Sequence, residues 1–246
     1  MMKRNNFPFS AVLGLNHAKT AILIVLVNPR AGGLLISGPR GIGKSTLMRS
    51  TQELIERPWR DIPVSVTEDR LFGTIDTEKA IYSGQKKLYP GIINEADQGV
   101  LYLDDANLLR EDLLDSILNI AEVGAYQLER DGLSLRCDTS FTVIAAINPE
   151  SGMLSGACLD QFGLFVNVDN IHDENKRVEI LKRTISFEKD CASFCKLWKL
   201  ENEKIKKAIH SAISLLPKVV VSSAMIQLAS VYALKAVSYT HLRAHE

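Results

Sequence analysis

Gly38-Pro39-Arg40-Gly41-Ile42-Gly43-Lys44-Ser45 satisfies the pattern G-x-x-x-x-G-K-[ST] in full, and Thr46 follows it. Glycines at these positions let successive backbone N–H groups turn inward around an anion, and a helix opening behind them adds the positive end of its dipole. In such a loop the lysine reaches the outer phosphates and the serine hydroxyl ligates Mg²⁺, which assigns these two tasks to Lys44 and Ser45. Gly38 to Thr46 are therefore expected to cradle a nucleoside triphosphate, ATP by preference. The competing reading is a Gly-rich turn with an accidental lysine. It leaves unexplained why an apolar strand precedes the turn and a helix follows it.

A phosphate loop also needs an anchor for the cation and a group that positions water. Val100-Leu101-Tyr102-Leu103 ends in Asp104-Asp105. Asp104 is assigned to the Mg²⁺ and Asp105 to the attacking water. Adjacent carboxylates at the mouth of a sheet repel one another unless a cation lies between them, which favours this over a plain solvent-exposed loop start. Asn148 closes another apolar run, Phe141 to Ile147. Ligands of open α/β sheets bind at the C-terminal strand edge, where a side-chain amide can orient water and sense the γ-phosphate. A turn-forming Asn before Pro149 explains the same residue equally well.

The elements that must position these groups are read from periodicity. Short apolar strands alternate with helical stretches, as in an α/β domain with a mainly parallel sheet. Strands are expected at 34–37, 62–66, 99–103, 141–147 and 164–168. Helices are expected at 17–27, 45–56 and 111–123, the last stopped by Gly124. Asp131-Gly132, between 125–128 and 133–137, is a hairpin signal. From Glu174 onward the pattern is helical only, with segments around 178–185, 200–213 and 223–237. The expected organisation is an α/β nucleotide-binding core over 1–170 and a partial helical lid over 171–237. Residues 238–246 break the apolar period and look like a translated sequencing-adapter fragment, so they are expected to be a non-native tail. His241 and His245 then carry no metal-binding meaning.

The 246 residues have an ordinary composition, 46% apolar and 24% charged. Lys plus Arg equals Asp plus Glu at 29 each, without the positive excess of a nucleic-acid-coating protein. No apolar run reaches the roughly 20 residues of a membrane helix. Four cysteines are too few for a disulfide scaffold and read as reduced thiols. The expectation is a cytoplasmic protein with no nucleic-acid or membrane partner.

Several segments resemble the AAA+ ATPase subunit of magnesium chelatase, the I-type motor subunit. They are Val66 to Ala80 (V-T-E-D-R-L-F-G-T-I-D-T-E-K-A), Pro90 to Ile93, Gly99 to Leu109, Glu129 to Arg136, Asn148 to Gly152 and Leu159 to Leu164. The likeness runs from about Phe9 to Val237. It implies an AAA+ core with a five-stranded sheet and an incomplete lid. It also implies a homo-oligomeric ring that works with a von Willebrand-type partner subunit and a porphyrin-binding catalytic subunit, and in such complexes ATP hydrolysis drives metal insertion into a tetrapyrrole. Asn148 becomes the sensor residue.

Three departures stand out. The family usually has Glu where this chain has Asp105, and a base displaced by about 1 Å can lose on the order of 10²-fold in rate. Its arginine finger, worth about 10³–10⁵ in turnover, is replaced by Gln161, whose amide carries no charge. The chain ends before the lid segment where the family carries its second sensor arginine. The sequence therefore leaves open an ATP-binding scaffold with impaired hydrolysis, or a related ATPase that remodels a protein client.

Overall fold

The computed structural model describes residues 6–75, 88–130 and 133–243. In chain order, helix α1 (Asn16–Val27) is followed by strand β1 (Leu34–Ser37), helix α2 (Lys44–Thr51) and strand β2 (Trp59–Ile62). Next come the short helix α3 (Glu68–Phe72), strands β3 (Gly73–Ile75) and β4 (Leu88–Pro90), helix α4 (Ile92–Glu95) and strand β5 (Val100–Leu103). Helix α5 (Glu111–Val123) leads into the hairpin β6 (Ala125–Arg130) and β7 (Leu133–Asp138), then β8 (Thr142–Ile147), α6 (Gly156–Asp160) and β9 (Leu164–Asn167). Three helices complete the chain: α7 (Glu174–Lys189), α8 (Cys191–Leu215) and α9 (Ser223–Arg243).

Five strands form one parallel sheet in the order β2-β5-β8-β1-β9. The three central strands are apolar at nearly every position because both faces of the sheet are covered. Leu35, Leu101, Leu103, Val143, Ala145 and Ile147 point into a core shared with Leu114, Ile117 and Leu118 of α5. Leu34, Ile36, Val100, Tyr102, Ile144 and Ala146 point the other way, onto Ile22 and Val25 of α1 and Leu47 and Met48 of α2. Period-2 alternation thus assigns each central strand to two cores at once. The expected mainly parallel five-stranded α/β sheet is present.

Two boundaries move. The strand expected at 62–66 lies at Trp59–Ile62 instead. It is an edge strand with the pattern buried-exposed-exposed-buried, so Arg60 and Asp61 hide its apolar signature. The helix expected to reach residue 56 ends at Thr51 and tightens into a 3₁₀ turn over Gln52–Leu54. Helix α5 stops where expected: Gly124 takes φ +79° and returns its N–H to the Ile120 carbonyl at 2.8 Å, a left-handed exit that glycine reaches without steric cost. The turn residues Asp131 and Gly132, and positions 76–80 of the segment carrying the resemblance, lie outside the described residues.

Beyond β9 the chain is helical. Asp173 caps α7 by accepting the Lys176 N–H, and Asp190 caps α8 by accepting the Ser193 N–H, which sets the break between the two helices. Helix α8 docks on the core through buried Phe194 and Ile209. Around that seat, Asn202 accepts from Ser10, Lys206 pairs with Glu56 at 2.9 Å, and the Arg183 guanidinium lies over the Trp198 ring. Helix α9 continues to Arg243, past Val237, with no Gly or Pro from 223 to 243 to stop it. Among the described residues no single helix is long and apolar enough to cross a membrane.

Candidate active site

The β1–α2 connection turns sharply at the C-terminal edge of the sheet. Gly41 and Gly43 take φ +81° and +91°, and Gly43 immediately precedes the first turn of α2. A Cβ on Gly41 would meet no atom within 4 Å, so the space in front of the turn is open. Behind it, a Cβ on Gly38 would lie 2.4 Å from the Val168 carbonyl oxygen. The loop is thus pinned at its base and free at its mouth.

Lys44 is buried, only 8% exposed. Its ammonium donates to the carbonyls of Gly38 at 2.5 Å and Pro39 at 2.8 Å. Burial pulls its pKa below the usual lysine value, Asp105 and Asp104 push it back up, and Arg40 pulls it down again. The Ser45 hydroxyl donates to Asp104 Oδ1 at 3.2 Å, and the Tyr102 hydroxyl donates to the same oxygen at 2.9 Å. A cleft lined by Arg40, Gly41, Gly43, Lys44, Ser45, Thr46, Asp104 and Asp105 collects these groups. Asp105 holds a left-handed backbone at φ +49°, ψ +49° at the start of the Ala106–Leu108 turn. Acidic residues tolerate that region better than most, and such outliers cluster at functional sites.

Asn148 is 2% exposed and ends β8, the strand hydrogen-bonded between β5 and β1. Its side chain does not line the cleft. Its Oδ1 accepts from Glu150 N at 3.3 Å and its Nδ2 donates to Ser151 Oγ at 3.2 Å, the turn-capping geometry that the sequence also allowed. The turn is tied to both sides of the site. Arg40 Nη2 donates to Ser151 Oγ at 3.4 Å, and Asn107 Nδ2 donates to the carbonyls of Asn148 at 3.1 Å and Gly152 at 2.9 Å. Four contributors escaped the sequence reading: Tyr102, Asn107, Ser151 and Glu150, whose carboxylate acts on Lys44. Only Tyr102 had a usable signal, since it stands two residues before Asp104, which follows directly on β5, and period-2 alternation carries both to the same side.

The geometry is that of an open glycine turn and a buried ammonium facing two adjacent carboxylates. Comparison with known proteins places the chain in a family. A family model described as AAA domain (dynein-related subfamily) matches residues 33–161. The chain is 34% identical to the magnesium-chelatase 38 kDa subunit of Chlorobaculum tepidum, over 89% of this chain and 67% of that protein. The chain belongs to the magnesium-chelatase I-type AAA ATPases. A second chelatase relative, the ChlI homolog of Methanocaldococcus jannaschii, is 33% identical over 94% of this chain and 73% of its own length. Among solved structures, this chain matches one in the complex between subunits BchI and BchD of magnesium chelatase. That match has a TM-score of 0.64, 35% identity, and coverage of 87% of this chain and 77% of that one. Within this chelatase-type fold, Gln161 is exposed at the C-terminal end of α6, while neighbouring Phe162 is buried in the core.

Proposed function

We propose that the chain binds ATP with Mg²⁺ and works as the ATP-driven motor subunit of a chelatase-type complex, its hydrolysis promoting metal insertion into a tetrapyrrole on a partner subunit. The observation that carries this reading is the meeting of Ser45 and Asp104 at 3.2 Å beside the buried Lys44 ammonium. A hydroxyl and a carboxylate are hard oxygen donors of the kind Mg²⁺ accepts together with phosphate oxygens and water. The residues present therefore fit the cation: Ser45 and Asp104 would hold it, and it would supply positive charge against the phosphate oxygens. Lys44 would release the two loop carbonyls to bind phosphate, with the backbone amides from Gly38 to Thr46 completing the cradle. Asp105 would take the water-activating role, and Asn148 would exchange its turn contacts for the water or the γ-phosphate.

The relative solved as a complex between BchI and BchD supports an assembly with a second subunit type. We assign this chain a homo-oligomeric ring, a von Willebrand-type partner, a porphyrin-binding catalytic partner and a cytoplasmic setting. Asp105 and Gln161 favour a second reading, in which the chain binds ATP as a scaffold and hydrolyses it slowly. Residues 1–170 would form the nucleotide-binding core and 171–237 part of a helical lid.

Binding of a fluorescent ATP analogue tests the site. Lys44→Ala should abolish binding, because the only buried ammonium lining the cleft among the described residues is removed. Unchanged affinity would overturn the assignment of the loop. Phosphate release from the parent chain separates motor from scaffold.

A further inference from the structure

The phenol of Tyr102 is placed by the packing around its ring. Tyr102 is 2% exposed, its ring lies 5.9 Å from that of Trp59, and the Trp59 indole N–H is itself tied to Asp61 Oδ1 at 2.7 Å. Asp61 is the register partner of Tyr102 across β2 and β5. A ring held this way has one place to put its hydroxyl, and that place is 2.9 Å from Asp104 Oδ1.

The Ser45 hydroxyl meets the same Oδ1. Serine and tyrosine differ in freedom: the Ser45 oxygen can swing about its Cα–Cβ bond to another partner, whereas the clamped ring holds the Tyr102 oxygen in place. We propose that Tyr102 is a positioning residue for the divalent cation, holding the Asp104 carboxylate toward Ser45 so that cation affinity depends on a phenol two residues upstream. The inference rests on the reading of Ser45 and Asp104 as the Mg²⁺ pair. Partners that orient metal-binding groups typically contribute about 10–100-fold to metal affinity. The competing account is a core aromatic whose hydroxyl takes the nearest acceptor. That account predicts general loosening of the fold and no effect specific to the cation.

Tyr102→Phe keeps the ring and removes only the hydroxyl. Nucleotide binding is measured with a fluorescent ADP analogue, in chelator and across a Mg²⁺ titration, and Mn²⁺ binding to the nucleotide complex is followed by electron paramagnetic resonance. The expected result is chelator affinity within about 2-fold of the parent and cation affinity weaker by about 10-fold. In an Asp104→Asn background the same substitution should change cation affinity by less than about 2-fold, since coupled residues are non-additive. Equal cation affinity in Tyr102→Phe and the parent overturns the inference, and so does an additive double mutant. A parent chain that binds no nucleotide overturns the proposed function and this inference together. Nucleotide binding with an unmoved cation affinity removes the tyrosine alone.

Discussion

Asp105 is one methylene shorter than the glutamate that the family resemblance leads one to expect, and its left-handed backbone fixes where that shorter arm begins. A base set back by about 1 Å costs on the order of 10²-fold. In the proposed ring, the neutral Gln161 would withhold the charge that an arginine would bring to a neighbouring active site. Asp105→Glu combined with Gln161→Arg should therefore raise phosphate release by at least about 10²-fold. A double mutant no faster than the parent would show that neither residue limits turnover.

A second residue links charge to stability. Burial, and then the charge of Arg183, lower Lys19 to about 8; its ammonium meets the Val12 carbonyl and stands 5.4 Å from the Phe9 ring centroid. The unfolded chain keeps the ordinary lysine value, so between pH 8 and 10.5 it binds more protons than the folded chain, and stability rises with pH across that window. The burial penalty is thus fully present below pH 8 and relieved above it. Thermal unfolding of Lys19→Met should compare more favourably with the parent at pH 7 than at pH 10. A difference that does not change with pH would rule this out.

At the scale of elements, the two loops of the site are joined by one amide. Asn107, on the turn after β5, donates to the carbonyls of Asn148 and Gly152 after β8, and its own Oδ1 is buried without a hydrogen-bond partner among the described residues. Asn107→Ala leaves the buried Asn148 carbonyl without that donor. The Ser151 N–H still serves that carbonyl at 3.0 Å, so a cost of about 0.5–1.5 kcal/mol in denaturant unfolding is expected, together with a fall in turnover that exceeds any change in nucleotide affinity. A variant that matches the parent in both would mean the turn holds itself. The strand–loop–helix around Lys44 and the acidic end of β5 were legible because a spaced motif and an apolar run coincide there. Elements α3, β3, β4, α4 and α6 span only 3–5 residues, too short for periodicity to register. Tyr102 passed unnoticed because it sits in a run of apolar residues, and Asn107 because the partners of a lone amide on a turn are set only by tertiary packing.

At the scale of the molecule, exposed apolar side chains gather on the terminal helices: Val178, Leu181 and Ile185 on α7, and Met225, Ile226, Leu228 and Tyr232 on α9. An ATP-dependent ring of the proposed kind should gain mass when a non-hydrolysable ATP analogue is added. Analytical ultracentrifugation of the parent and of Lys44→Ala checks this: the parent should shift to a larger species and the variant should not. Identical sedimentation with and without nucleotide would count against nucleotide-driven assembly.

The order β2-β5-β8-β1-β9 has a mechanical corollary. Six residues of β8, about 20 Å of extended chain, run from the foot of the β6–β7 hairpin to Asn148 and are clasped on both edges by neighbouring strands. One continuous strand thus joins the turn that holds Arg40 and Asn107 to the foot of the hairpin, with no break in regular structure between its two ends.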